Sequence, residues 1–261
     1  MDSNRKLNLI LKYIGNDRLT EINDFASEVS KRDFIEFSSL DEVKAFFIDY
    51  LAEFYNNNSR NDIDNIRAYT GIAFRRFNSV LRGIWDYDTN GVLTDEMKSE
   101  YLDYANKLSE CIEKSTTLSS NIKTYRSVSL DSFKDYGISS LEELKSLENK
   151  YYYESGFTST SLIRDKSFFN RELEYHEFCN IEIEYLIPEE SNDGFPLIND
   201  DLSYSKIQSE YLINKSSLSK IIDVKISTDG KLAYMKVVLI PQKMWNITYN
   251  KNDSLDFSNT I

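Results

Sequence analysis

The chain has 261 residues, is 41% hydrophobic and 13% aromatic, and carries 43 acidic against 31 basic side chains, a formal net charge of −12 at pH 7. That much apolar surface, with only 8 glycines and 3 prolines, excludes a disordered or low-complexity polypeptide and suffices for a sizeable core. The acidic excess repels phosphate backbones and excludes a general nucleic-acid binder, while leaving room for one locally basic pocket.

Two cysteines, Cys111 and Cys179, are too few for a disulfide framework. The single histidine, His176, excludes a zinc site, and no metal is expected. The apolar stretch Leu7 to Ile14 is interrupted by Asn8 and Lys12, so no signal peptide is visible. No segment approaches the roughly 18 apolar residues of a membrane span. The expectation is a chain without a membrane span, cytoplasmic or cut from an exported protein.

Residues 1–118 predict helices. Asp41 can cap one in which Val43, Phe46, Phe47, Tyr50, Leu51 and Phe54 recur at helical steps, broken by Asn56-Asn57-Asn58-Ser59. A second carries Ile63, Ile66, Tyr69 and Ile72. A third carries Phe74, Phe77, Val80, Leu81 and Ile84, before a turn at Asp88-Thr89-Asn90-Gly91. Thr94 opens a fourth, with Met97, Tyr101, Tyr104, Ala105, Leu108 and Ile112 on one face. These stripes read as core.

After Ser119-Ser120 the pattern changes to strands over 122–128, 151–162, 180–187, 209–213, 221–226 and 233–240, with one short helix at Leu141 to Leu147. Ile181, Ile183, Tyr185 and Ile187 show the two-residue period of a half-buried strand. Helices followed by strands predict an α+β protein, its N-terminal helices packed on a mainly antiparallel sheet or sandwich. One domain is expected over 1–261: a helical part to 118, a β-rich part over 119–250 and a tail from 251.

Three short stretches carry candidate chemistry: Tyr125-Arg126, then Gly156-Phe157-Thr158-Ser159-Thr160-Ser161-Leu162, then Gln208-Ser209-Glu210. A guanidinium is permanently charged and matches phosphate oxygens. Ser159 and Ser161 share a strand face, and a hydroxyl there can fix the rotamer of a neighbouring carboxylate. Gln208 and Glu210 also share a face. A carboxylate can hold a sugar hydroxyl or steady a developing positive charge, and a carboxamide can recognise another amide. Nothing sets a base beside the serines, so they are not read as nucleophiles. Each residue taken singly reads equally as ordinary surface or sheet chemistry.

Taken in order, Tyr-Arg, Gly-Phe-x-Ser-Thr-Ser-Leu and Gln-x-Glu resemble the arginine–serine–glutamate class of mono-ADP-ribosyltransferase toxins. By motif the nearest groups are the Rho-modifying exoenzymes and the enzymatic components of binary actin-modifying toxins. Tyr69-Thr70-Gly71, Phe74, Phe77-Asn78 and Leu81-Arg82-Gly83 are similar to the helix these toxins place before their first catalytic strand. The resemblance covers about residues 60–240. It implies the ADP-ribosyltransferase form of a mixed, mainly antiparallel β-sandwich, and NAD as substrate.

It further implies roles. Arg126, with Tyr125, Asn78, Arg82, Thr160 and Ser161, would bind NAD. Ser159 would orient Glu210, and Glu210 would hold the nicotinamide ribose and stabilise the oxocarbenium-like state. Gln208, with Tyr204, would recognise the acceptor, an amide such as asparagine. From the segment after the serine strand, Arg164 or Arg171 would reach the phosphates and Phe168 or Phe169 the nicotinamide. A bacterial toxin or effector secreted or delivered into a host cell is implied, acting on a small GTPase or actin. The N-terminal helices would be free to dock on a translocation partner. Three departures stand out: no Pro-Gly turn precedes Gln208, Tyr204 stands one residue further from Gln208 than in these toxins, and the charge is acidic. An enzyme that only hydrolyses NAD and a non-catalytic binding module are the alternatives.

Overall fold

The structure is a computed structural model, and residues 3–83, 93–164, 179–199, 202 and 209–245 are described. Seven helices come first: α1 (Ser3–Ile14), α2 (Asn16–Val29), α3 (Leu40–Phe46), α4 (Ile48–Asn57), α5 (Arg60–Ala68), α6 (Phe74–Arg82) and α7 (Asp95–Glu113). Their starts follow local chemistry. Thr94 accepts a hydrogen bond from Met97 N to open α7, and Ser59 and Asp62 form a reciprocal capping box on α5. At α3 the cap is Ser39, which accepts from Glu42 N, and not Asp41, which lies inside the first turn. The stripe from Val43 to Phe54 is split at Phe47 into α3 and α4.

Between α5 and α6 the chain makes a wide, π-type turn over Tyr69–Ala73 and leaves helical geometry at Gly71 (φ −84°, ψ −140°). Such turns break the regular ladder and re-aim side chains.

The strands are β1 (Ile122–Val128), β2 (Tyr151–Glu154), β3 (Thr158–Ser161), β4 (Ile181–Ile187), β5 (Gly194–Leu197), β6 (Glu210–Ile213), β7 (Ser217–Ile226) and β8 (Ala233–Ile240), followed by a short helix α8 (Gln242–Trp245). All eight join one mixed sheet in the order β2-β7-β8-β4-β1-β3-β6-β5. Only β4 and β8 run parallel; the other pairs are antiparallel. The single strand read over 151–162 is two, β2 and β3, and the short helix near 141–147 is a 3-10 turn over Glu142–Leu147.

The strand order forces a curl. β2 and β3 stand five strand spacings apart in the sheet, about 24 Å if it were flat. Only Ser155, Gly156 and Phe157 connect them, and four Cα steps reach about 14 Å. The half-sheet β2-β7-β8-β4-β1 must therefore fold over against β3-β6-β5. Among the described residues, the strand ladder between the two halves has one register pair, Tyr125 with Ser161. That open, folded sheet takes the place of two separate sandwich layers.

Both faces are covered. Leu7, Ile14, Ile22, Ala26 and Val29 of α1 and α2 pack with Leu186, Leu218, Val238 and Ile240. Met235, Val237 and Leu239, alternating with those on β8, face the larger core that holds Phe47, Phe54, Ile66, Leu108 and Ile112. Burial on both sides explains why β8 reads as an almost continuous apolar run. The apolar stripes of α1 and α2, considered for a translocation partner, are spent on the chain's own sheet. Both cysteines are free thiols. Among the described residues no helix is long and apolar enough to cross a membrane, and no three His, Cys, Asp or Glu side chains gather as a metal site would need.

Candidate active site

The link between the half-sheets and the seam beside it gather most of the sequence-predicted residues that are described. β6 begins at Glu210, immediately after Ser209, whose φ of 43° is unusual for a residue with a side chain. Leu162 N donates to the Ser209 carbonyl at 2.8 Å, which holds that backbone where strain is otherwise unfavourable. Glu210 is left 9% exposed. Burial raises its pKa, partly offset by a hydrogen bond from the Ser159 hydroxyl and by the charge of Arg126.

On the serine strand, it is Ser159 whose hydroxyl bonds this carboxylate. Thr160 donates to the Tyr211 carbonyl at 2.7 Å, and Ser161 donates to the Ile163 carbonyl at 2.6 Å, closing a local turn. Arg126, half-buried on β1, reaches across the seam and donates through Nη1 to the Ser159 carbonyl at 3.2 Å. Its other N–H groups have no hydrogen-bond partner among the described residues, so the guanidinium retains donors for an anion.

Behind Ser159 stands Tyr69, 1% exposed, at the wide turn between α5 and α6. Its pKa is raised first by burial and then by the Glu210 carboxylate, against hydrogen bonds with Asn78 and Ser159 and the charge of Arg126. Asn78 Nδ2 donates to the Tyr69 hydroxyl at 3.2 Å. The Tyr69 proton is then available to Ser159, and the Ser159 proton to Glu210, giving a chain of donors that ends on the carboxylate. The other end of Asn78 is also used: Oδ1 accepts from Phe157 N at 2.8 Å.

Arg82 lies one turn beyond Asn78. It makes a forked ion pair with Glu154, Nε and Nη2 donating at 3.0 and 3.1 Å, and Glu154 also accepts from Gly156 N at 2.9 Å. The pKa of Arg82 is raised, with the Glu154 charge and hydrogen bond outweighing burial. Gly156 makes this packing feasible, because a Cβ there would lie 2.6 Å from Asn78 Oδ1.

Two predicted residues do not join the cluster. Tyr125 alternates with Arg126 on β1 and donates to Glu36 at 2.6 Å. Arg164 pairs with the buried Glu182 at 2.5 and 3.1 Å and lies 5.5 Å over the Tyr125 ring. Tyr204, Gln208, Phe168, Phe169 and Arg171 lie outside the described residues.

Glu154 was missed as a site residue, and Tyr69 was named only as part of the matching helix, without a role of its own. Tyr69 fits an apolar stripe, yet it directly precedes the Thr-Gly at which the helix breaks. Glu154 ends a Tyr-Tyr-Tyr strand, where a charge with no obvious partner was the available signal.

The ADP-ribosyltransferase exoenzyme family model matches residues 43–241. The chain belongs to that family. It is accordingly a transferase that uses NAD, of a toxin class. A comparison with curated proteins gave no match. Among solved structures, C3stau2 from S. aureus, determined with NAD, is 17% identical with a TM-score of 0.62, covering 80% of this chain and 100% of its own. The Clostridium limosum C3 exoenzyme is 21% identical with a TM-score of 0.61, covering 80% and 98%. BECa of a C. perfringens binary enterotoxin, determined with NADH, is 15% identical with a TM-score of 0.61, covering 80% of this chain and 50% of its own. At these identities the likeness concerns the fold.

The donor chain of the exoenzyme is open to a direct check. A hydrogen bond to a charged group contributes about 1.5–3 kcal/mol. Ser159→Ala should therefore slow nicotinamide release from NAD by roughly tenfold to a hundredfold. Ser161→Ala, whose hydroxyl donates to the Ile163 carbonyl, should change it by less than about threefold. Equal effects of the two substitutions in a nicotinamide-release assay would contradict this assignment.

Proposed function

We propose that this exoenzyme is a mono-ADP-ribosyltransferase that moves ADP-ribose from NAD to an amide-type side chain, such as asparagine, of a host protein. The buried Glu210, held by Ser159 beside Arg126, carries the proposal. A carboxylate so placed, with burial opposing its charge, gains most when a positive charge forms next to it. That is the situation as the nicotinamide–ribose bond breaks.

Arg126 would take the NAD phosphates with its unused donors. Asn78 and Tyr69 would keep Ser159 and Glu210 in register. Arg82, neutralised by Glu154, would shape the wall of the site more than attract the dinucleotide. Tyr125 and Arg164 would brace the other side of β1. Arg171, with Phe168 or Phe169, stays the proposed contribution of the segment after β3. Gln208, two residues before Glu210, would align the acceptor amide with Tyr204. A small GTPase or actin is the target class proposed, with the protein acting after secretion or delivery into a host cell.

Incubating the chain with labelled NAD and a host-cell lysate should label a discrete protein band. In Gln208→Ala that label should vanish while nicotinamide release persists at an appreciable rate. Loss of both activities together would refute the separation of roles. Nicotinamide release without any labelled protein, across several lysates, would replace the transferase with an NAD hydrolase. No NAD binding at all would leave a binding module.

A further inference from the structure

Helix α1 lies before the part of the chain that the family model matches, yet it touches the framework of the site. The ammonium of Lys6 donates to the Leu81 carbonyl at 3.2 Å and to Ser155 Oγ at 3.0 Å. Leu81 is in the last turn of α6, where carbonyls have no partner within the helix and a cation is favoured. The helix closes there at Gly83, with φ 71° and its N–H on the Val80 carbonyl. Ser155 opens the three-residue link between β2 and β3.

The sequence neighbours of these two acceptors are the forked pair itself: Arg82 follows Leu81, and Glu154 precedes Ser155. One ammonium thus bolts the end of the helix carrying Asn78 and Arg82 to the link that leads into Ser159. It adds to the forked Arg82–Glu154 pair and the Phe157 N–H on Asn78 Oδ1, which join the same two segments from within the family core. Beside Lys6 lies a cavity of about 340 Å³ bounded by Ile10, Leu81, Tyr153, Lys215 and Trp245. Burial lowers the pKa of Lys6, opposed by the Glu154 and Asp135 carboxylates, and both acceptors require its protons.

We propose that Lys6 is a positioning residue for NAD, clamping the end of α6 to the β2–β3 link so that Arg82 and Gly156, at the wall of the site, keep the spacing that the dinucleotide needs. This rests on the activity proposed above. Lys6 touches neither Glu210 nor Arg126 in any hydrogen bond or ion pair among the described residues. Its removal should therefore weaken NAD binding and leave the chemical step alone.

The test uses the full chain and four variants: Lys6→Met, which keeps the apolar stem; Ser155→Ala, which breaks the same bond from the other side; the double variant; and Lys6→Arg. Calorimetry gives Kd for NAD, nicotinamide release gives KM and kcat, and thermal melts report folding. Lys6→Met and Ser155→Ala should each raise Kd and KM, Lys6→Met by about tenfold, with kcat within about twofold. The double variant should fall short of the product of the single effects, and Lys6→Arg should recover most of the loss. If Lys6→Met does not fold, Ser155→Ala carries the test. Unchanged Kd and KM in Ser155→Ala, or a fall in kcat at constant KM, would overturn the assignment. A wild-type chain that binds no NAD would overturn the proposed activity instead, whatever Lys6 does to stability.

Discussion

Glu210→Gln should reduce both nicotinamide release and transfer by about a thousandfold, and the same variant should melt at a higher temperature than wild type. The rate loss follows from removing the charge that opposes the developing cation, a contribution of the size found for single electrostatic stabilisers. The stability gain follows from burial. The Glu210 pKa is raised in the folded chain, first of all by burial, so the fold opposes ionisation of this side chain more than water does. As pH rises from the ordinary carboxylate range through the raised value, that stability is lost, and above it the full penalty persists. Toward pH 4 the side chain becomes mostly protonated in both states, and most of the penalty disappears.

The melting-temperature gain of Glu210→Gln should therefore be clear near pH 7.5 and should shrink toward pH 4, measured by calorimetry at both values. A variant no more stable than wild type at pH 7.5 would contradict the electrostatic cost. The same shift sets the pH profile: activity should fall on the acid side at a pH above that of an ordinary glutamate, because the ionised form does the work.

Gly156→Ala should be the most damaging single methyl addition at the site. The new Cβ would stand 2.6 Å from Asn78 Oδ1, 3.1 Å from Asn78 Cγ and 3.4 Å from Arg82 Nε, and Asn78 is fixed at both ends by Tyr69 and Phe157 N. Relieving the overlap displaces the carboxamide and leaves the buried Phe157 N–H unpaired. Overpacking and an unsatisfied donor each cost about 1–3 kcal/mol, so a loss of about 2–5 kcal/mol is expected in denaturant titrations. NAD binding should weaken with it, since Ser159 lies three residues downstream. Shortening the obstructing side chain in Gly156→Ala/Asn78→Ala should return part of the stability without returning activity. Simple additivity of the two losses would mean that the overlap is not the cause.

Much of this arrangement was legible in the residues, and the exceptions have physical reasons. Thr94 as a helix start and the limits of β1, β4 and β8 follow from side-chain capping and two-residue periodicity, both local signals. β5 escaped notice because Gly194-Phe195-Pro196-Leu197 is four residues long and contains two strand-averse ones. The division of 151–162 into β2 and β3 also escaped, since the two strands join opposite half-sheets, and that is a property of the whole topology. At the site, Arg126, Ser159 and Glu210 meet as their order in the sequence implied. Tyr125 and Arg164 part from them because alternation along β1 turns Tyr125 toward Glu36, and Glu182 draws Arg164 after it. The role of Tyr69 was hidden by its ring: a buried tyrosine in an apolar stripe is indistinguishable from core until its hydroxyl has a partner.

The seam between the half-sheets has a consequence for the life of the molecule before it reaches any substrate. Tyr69 and Asn78 come from the helical part, Arg126 from one half-sheet, and Ser159 and Glu210 from the other, and among the described residues the strand ladder between the halves has one register pair. No short contiguous fragment holds the whole cluster, and a partly folded chain has the strands without their alignment. Contacts this distant in sequence form late, after the loops between them have been closed. On the proposed roles, an unfinished chain would lack the assembled cluster and should release no nicotinamide from NAD, so activity should appear only with the finished fold.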